Sequence, residues 1–115
     1  MSQSDTIAAI ATARGQAALA VVRTSGPEAI DVVNRCFRGE DLTEVESHTA
    51  HVGFITNEAG EDVDQVVTTV FRAPNSATGE NVVEVSCHGG DLAPKMVLQS
   101  LLDHGARMAE PGEFT

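Results

Sequence analysis

Most apolar residues of this chain fall in short, β-branched runs cut off by turn residues, and that pattern commits much of the fold to a sheet. "TAHVGFIT" and "VDQVVTTVF" are separated by "NEAGED", whose Asn57 and Gly60 suit a turn, and predict an antiparallel hairpin. "DTIAAIATARG" and "QAALAVVRTSG", separated by Ala13 to Gln16, predict a second hairpin, and "VVEVSCH" a further strand. Helices fill the remaining stretches. "SGPE" offers a helix start: Ser25 and Glu28 have capping-box spacing, and Pro27 fits a first turn. Ile30, Val33 and Phe37 then recur at helical spacing, with Cys36 beside them. Asp91 can cap a second helix from Leu92 to Asp103, with Pro94 in its first turn and Gly105 placed to stop it. Arg38 to Glu46 and "APNSATGEN" read as loops, and "GARMAEPGEFT" as a short strand followed by a loop. The expected fold is a single domain over residues 1–115. Its class is α/β of an α+β-like kind, a mixed sheet of about five strands with two or three helices.

A chain of 115 residues can bury one core without staples. With four Phe, no Trp and no Tyr, that core must be aliphatic. Charge excludes more than size does. Seventeen acidic residues against seven basic ones give −10 at neutral pH, a surface that repels phosphate backbones and argues against direct nucleic-acid binding by this domain. Cys36 and Cys87 lie far apart, fit no paired zinc spacing and suggest a reducing compartment. The start lacks the basic residues of a signal peptide, and no apolar run approaches the roughly 20 residues of a membrane span. A cytoplasmic protein is the expectation.

The densest chemistry lies in "TGENVVEVSCHGG". A zinc site needs about four converging ligands, whereas Cys36, Cys87 and four histidines are scattered here. In an extended run, Cys87 and His88 point to opposite faces and cannot pair as nucleophile and base, although a distant histidine could serve Cys87. Gly89-Gly90 before a helix could cradle an anion or simply allow a sharp turn, and neither GxGxxG nor a P-loop is present. Arg23 and Glu84 stand out more. Each lies in or at the end of an apolar run, and alternation puts Glu84 with Val82 and Ser86, opposite Val83 and Val85. Such a face can be merely solvated. It can also present a carboxylate and a guanidinium to a polar ligand, each able to make two parallel hydrogen bonds.

"DTIAAIAT", "AVVRTSGPEAI", "APNSATGENVVEVSCHGG" and "GARMAEPGEFT" stand in the order and spacing of one family. From Asp5 to Thr115 the chain resembles the N-terminal domain of the tRNA-modification GTPases called MnmE or TrmE. The resemblance implies a folate-binding fold like that of the tetrahydrofolate-binding aminomethyltransferases, without enzymatic activity of its own. It implies 5-formyltetrahydrofolate or 5,10-methylenetetrahydrofolate as one-carbon source, and a homodimer formed through this domain with folate near the interface. Family members add a helical domain and a GTPase domain using GTP, Mg and K. With an FAD-binding tRNA-modification subunit they modify C5 of wobble uridine 34. The family's catalytic cysteine belongs to a C-terminal motif, so Cys87 does not inherit that role. The family's folate contacts map onto Arg23 and Glu84. A pterin offers an amide N–H beside an amino group, which a carboxylate can accept, and folate carboxylates suit an arginine. This chain has "TARG" where the family has Thr-Pro-Pro-Gly, and Ala77 where it has an aromatic residue. The family also runs on past the position of Thr115 to a folate-binding lysine, so the chain is expected to be an isolated domain or an incomplete gene product.

Overall fold

A computed structural model describes residues 5–11 and 19–113. Seven strands form one sheet in the order β3-β4-β5-β6-β2-β1-β7. In chain order they are β1 (Ile7–Ile10), β2 (Leu19–Ser25), β3 (Phe37–Arg38), β4 (Thr49–Thr56), β5 (Asp62–Phe71), β6 (Val82–His88) and β7 (Arg107–Met108). Among the described residues two helices, α1 (Ala29–Arg35) and α2 (Leu92–Asp103), complete the mixed α/β fold together with a 3-10 turn at Leu42–Glu44. Both expected hairpins are present and antiparallel, β1 with β2 and β4 with β5. The Ala13 to Gln16 spacer lies outside the described residues. The sheet has more strands than the five expected. The two beyond those five are two-residue strands at its opposite edges: β7 falls in the stretch read as a short strand, whereas β3 was not expected and is too short to carry a period.

Alternation divides the sheet into two faces. Ala20, Val22, Val66, Val70, Val83 and Val85 pack against Ile30, Val32 and Val33 of α1 and Val97, Leu98 and Leu101 of α2. Each of the Val, Ile and Leu side chains contributes about 1.5–3 kcal/mol when fully buried, and the core is aliphatic as composition demanded. Leu19, Val21, Arg23, Glu84, Ser86 and His88 alternate to the other face, joined by Val52 and Val67 of the β4–β5 hairpin.

Local signals fared unevenly. No capping box forms at α1. Ser25 remains in β2, and its hydroxyl is bonded to Thr78 Oγ1 at 2.8 Å. The Glu28 N–H instead donates to Thr6 Oγ1 at 3.0 Å, a cap supplied by the approach to β1. Gly26 allows that closeness: its φ is +143°, and a Cβ there would lie 2.6 Å from Asp5 O. The stripe Ile30–Val33 holds, but the helix ends at Arg35 and Phe37 belongs to β3. Phe37 there packs against Gly53, whose missing Cβ would sit 2.6 Å from the ring. The loop from Arg38 is not wholly polar in role, because Leu42 is fully buried. Its turn is tied down by Arg72, which donates to the carbonyls of Leu42, Thr43 and Val45. α2 has the expected span, yet Asp91 makes no capping bond through its side chain. Gly105, at φ +125°, follows the helix as expected.

Candidate functional site

β2 and β6 run antiparallel with Arg23 directly opposite Glu84. The two side chains meet across the strands on the face that the helices leave uncovered. Arg23 Nε and Nη2 both donate to Glu84 Oε2, at 2.9 and 2.7 Å. About 30% of each side chain remains exposed, so the pair is desolvated in part and still reachable. Both bonds converge on one oxygen. Oε1 has no hydrogen-bond partner among the described residues, which leaves half of the carboxylate available to an incoming donor. The two residues singled out in the sequence are thus brought together. They hold one another as well as facing outward, which neither run could reveal alone.

Along β6 the two ends of this face differ. At one end, Val82 is buried and Ser25 bonds Thr78, so the loop that carries "TGE" closes over the strand ends. Ser76 Oγ donates to Glu80 O and gives that loop its own internal tie. At the other end, Leu19, Val52, Gln65, Val67, Ser86 and His88 line an open cavity of about 220 Å³. Leu19 and Val52 are 64% and 65% exposed, unusual for large apolar side chains. His88 stands at the rim. Its backbone N–H donates to Asp64 Oδ2 at 2.8 Å, and its Nδ1 lies 2.7 Å from Asp64 Oδ1. With a carboxylate there, Nδ1 carries a proton and Nε2 is turned away from Asp64.

The thiols face the helices. Cys36 and Cys87 are both buried, and β6 sets Cys87 and His88 on opposite faces as its extended pattern predicted. Burial pushes the Cys36 thiol up to about 12. Burial, with the Asp64 charge second, pushes Cys87 up to about 11, the opposite of what a thiolate nucleophile requires. Among the described residues no three His, Cys, Asp or Glu side chains converge as metal ligands. No helix among them is long and apolar enough to cross a membrane.

Thr78, Asp64 and His88 as a hydrogen-bonded residue escaped sequence reasoning. Asp64 and His88 lie 24 positions apart, and only the β5–β6 register juxtaposes them. A carboxylate inside the apolar run "VDQVV" was the available signal, the same kind that singled out Glu84.

Comparison with known proteins agrees with the motifs. The family model described as "GTP-binding protein TrmE N-terminus" matches residues 6–115. A tRNA modification GTPase MnmE of Salinibacter ruber is 84% identical over 115 residues, all of this chain and 25% of that protein. Proteins of the same name from Bacillus thuringiensis and Bacillus anthracis are 52% identical over 112 residues, 96% of this chain and 24% of theirs. The chain therefore spans about a quarter of the length of the curated relatives it matches.

Proposed function

The chain belongs to the TrmE N-terminal family, and from that premise we propose that it binds reduced folate and dimerises, as the N-terminal module of a tRNA-modification GTPase. The modification is that of C5 of wobble uridine 34, carried out with an FAD-binding partner subunit. The observation that carries the reading is the Arg23–Glu84 pair on the uncovered face, with Glu84 Oε1 unengaged among the described residues. A pterin fits that oxygen. Its adjacent N–H donors can reach a carboxylate whose other oxygen is held by a guanidinium, so the ligand need not break the existing bonds. Arg23 fixes the carboxylate's rotamer and supplies positive charge in a domain of net −10. Bound there, 5-formyltetrahydrofolate or 5,10-methylenetetrahydrofolate would supply the one-carbon unit. GTP hydrolysis would belong to other domains of the intact protein. The exposed Leu19, Val52 and Val67 on the same face suit a second copy of the chain, which would enclose the ligand between two sheets.

Calorimetric titration with 5-formyltetrahydrofolate tests the reading, in this chain and in a form extended to the length of its relatives. Arg23→Ala and Glu84→Gln should each weaken binding by about 2–5 kcal/mol, the range for truncating one side of a hydrogen-bonded charge pair. The melting temperature should stay nearly constant, because a partly exposed pair contributes little to stability. Arg23→Lys keeps the charge but loses the planar fork, and should fall between. If Glu84→Gln binds like the parent, the pair is only a solvated cross-strand contact.

A further inference from the structure

The cavity at the open end of the uncovered face is not used by the Arg23–Glu84 pair. Glu84, Ser86 and His88 project from the same side of β6, so His88 stands four residues, about 13 Å, along the strand from the carboxylate. Between them the floor is mostly apolar, with Ser86 at its centre: Val67 pairs with Ser86, Val52 with Val67, and Leu19 with His88. A flat ring can rest on these valine and leucine side chains. At the far rim, Asp64 grips His88 by both the backbone N–H and Nδ1, which fixes the ring plane. Nε2 has no partner among the described residues, and 68% of the side chain is exposed. Nε2 donates to an anion only when the ring carries its second proton, and His88 then bridges Asp64 on one side and the anion on the other. Asp64 has both oxygens engaged by His88, so it offers an approaching carboxylate less repulsion than an unpaired acid would.

We infer that His88, positioned by Asp64, binds the tail carboxylates of a ligand whose ring lies over Leu19, Val52 and Val67. On the folate reading, on which this inference rests, that part is the aminobenzoyl-glutamate end, and the pterin lies at Glu84. The order of the ligand along β6 is thereby fixed, and the domain discriminates folates by their tail as well as by their pterin. His88 is then a specificity residue and Asp64 a positioning residue.

The test compares 5-formyltetrahydrofolate with its glutamate diamide, which keeps the pterin and ring but carries no tail charge. In the unmodified protein the acid should bind about tenfold or more tightly than the diamide, the worth of one charge-assisted hydrogen bond. His88→Ala should abolish that preference, weakening the acid by the full factor and the diamide far less. Asp64→Asn should reduce the preference without weakening the diamide, a split that general destabilisation would not produce. Glu84→Gln should weaken both ligands equally and preserve their ratio. A preference that survives His88→Ala, or that disappears instead in Arg23→Ala, overturns the inference and leaves the folate reading standing. An unmodified protein that binds neither compound overturns both.

Discussion

Along β6, Val83, Val85 and Cys87 are sealed beneath two helices, whereas Glu84, Ser86 and His88 stand on a face that neither helix covers. The same contrast runs along β2, where Ala20 and Val22 are buried and Leu19 and Arg23 are not. On the covered face, side chains are aliphatic and interlocked, and what they contribute is stability. On the open face, three exposed aliphatic residues flank a charged pair and a carboxylate-held histidine, and little folding energy depends on any of them. The lesson is one of division of labour within a single strand. Period-two alternation lets one strand build a core and present a site, and changes on either side should have separable consequences.

Two truncations of the same residue type test that separation most severely. Leu101→Ala, fully buried under the sheet, should cost about 2–5 kcal/mol in urea unfolding. Leu19→Ala, on the open face, should change stability by no more than about 0.5 kcal/mol. Equal effects at a concentration where the chain is monomeric would mean that the open face is covered in the folded monomer, and the contrast between faces would collapse. A smaller effect of opposite sign is expected at Thr24. It lies on the covered face, and its hydroxyl is buried without a hydrogen-bond partner among the described residues. Thr24→Val keeps the shape and removes the orphan, and should raise stability by about 1 kcal/mol in the same measurement. A loss instead would reveal a partner for that hydroxyl, such as a buried water.

The smallest effect belongs to the sheet edge, where the two faces meet. The Arg107 guanidinium donates to Glu113 and, with the Glu110 N–H, holds that carboxyl below the usual carboxylate range. A depressed carboxyl stabilises the fold above its unfolded pKa, and the contribution fades as pH falls through its folded value. Glu113→Gln should therefore lower the melting temperature slightly at neutral pH, with the difference vanishing in acid. A difference that persisted or grew at low pH would contradict the assignment.

Much of this was legible in the sequence, for reasons that the residues make plain. Long β-branched runs such as "VDQVVTTVF" carry their period within themselves, so the five longer strands and α2 could be read locally. Alternation likewise fixed the face of Glu84. What could not be read was set by partners distant in the chain. Ser25 and Glu28 have the spacing of a capping box, but Ser25 is committed to the ladder with β6, and the cap comes from Thr6. Phe37 continues a helical stripe by spacing, yet pairing with Ile55 draws it into β3. The Arg23–Glu84 contact spans 61 positions and exists only because β2 lies beside β6. Each residue could be singled out from its own run, but their bond to each other could not.

The parallel pairing of β1 with β7 also has a mechanical side. Suppose tension is applied from before Asp5 and from beyond Glu113. Because the two strands point the same way, that pull slides them past one another and does not peel them apart. The backbone bonds between them, among them Arg107 N–H to Thr6 O and Ala109 N–H to Ala8 O, are then loaded together and not in turn. Arg107 lies across the same seam, bound to Asp5 on one side and Glu113 on the other. The edge of the sheet is thus a shear clamp: motion of flanking segments meets its resistance there before reaching β2, β6 and the pair between them.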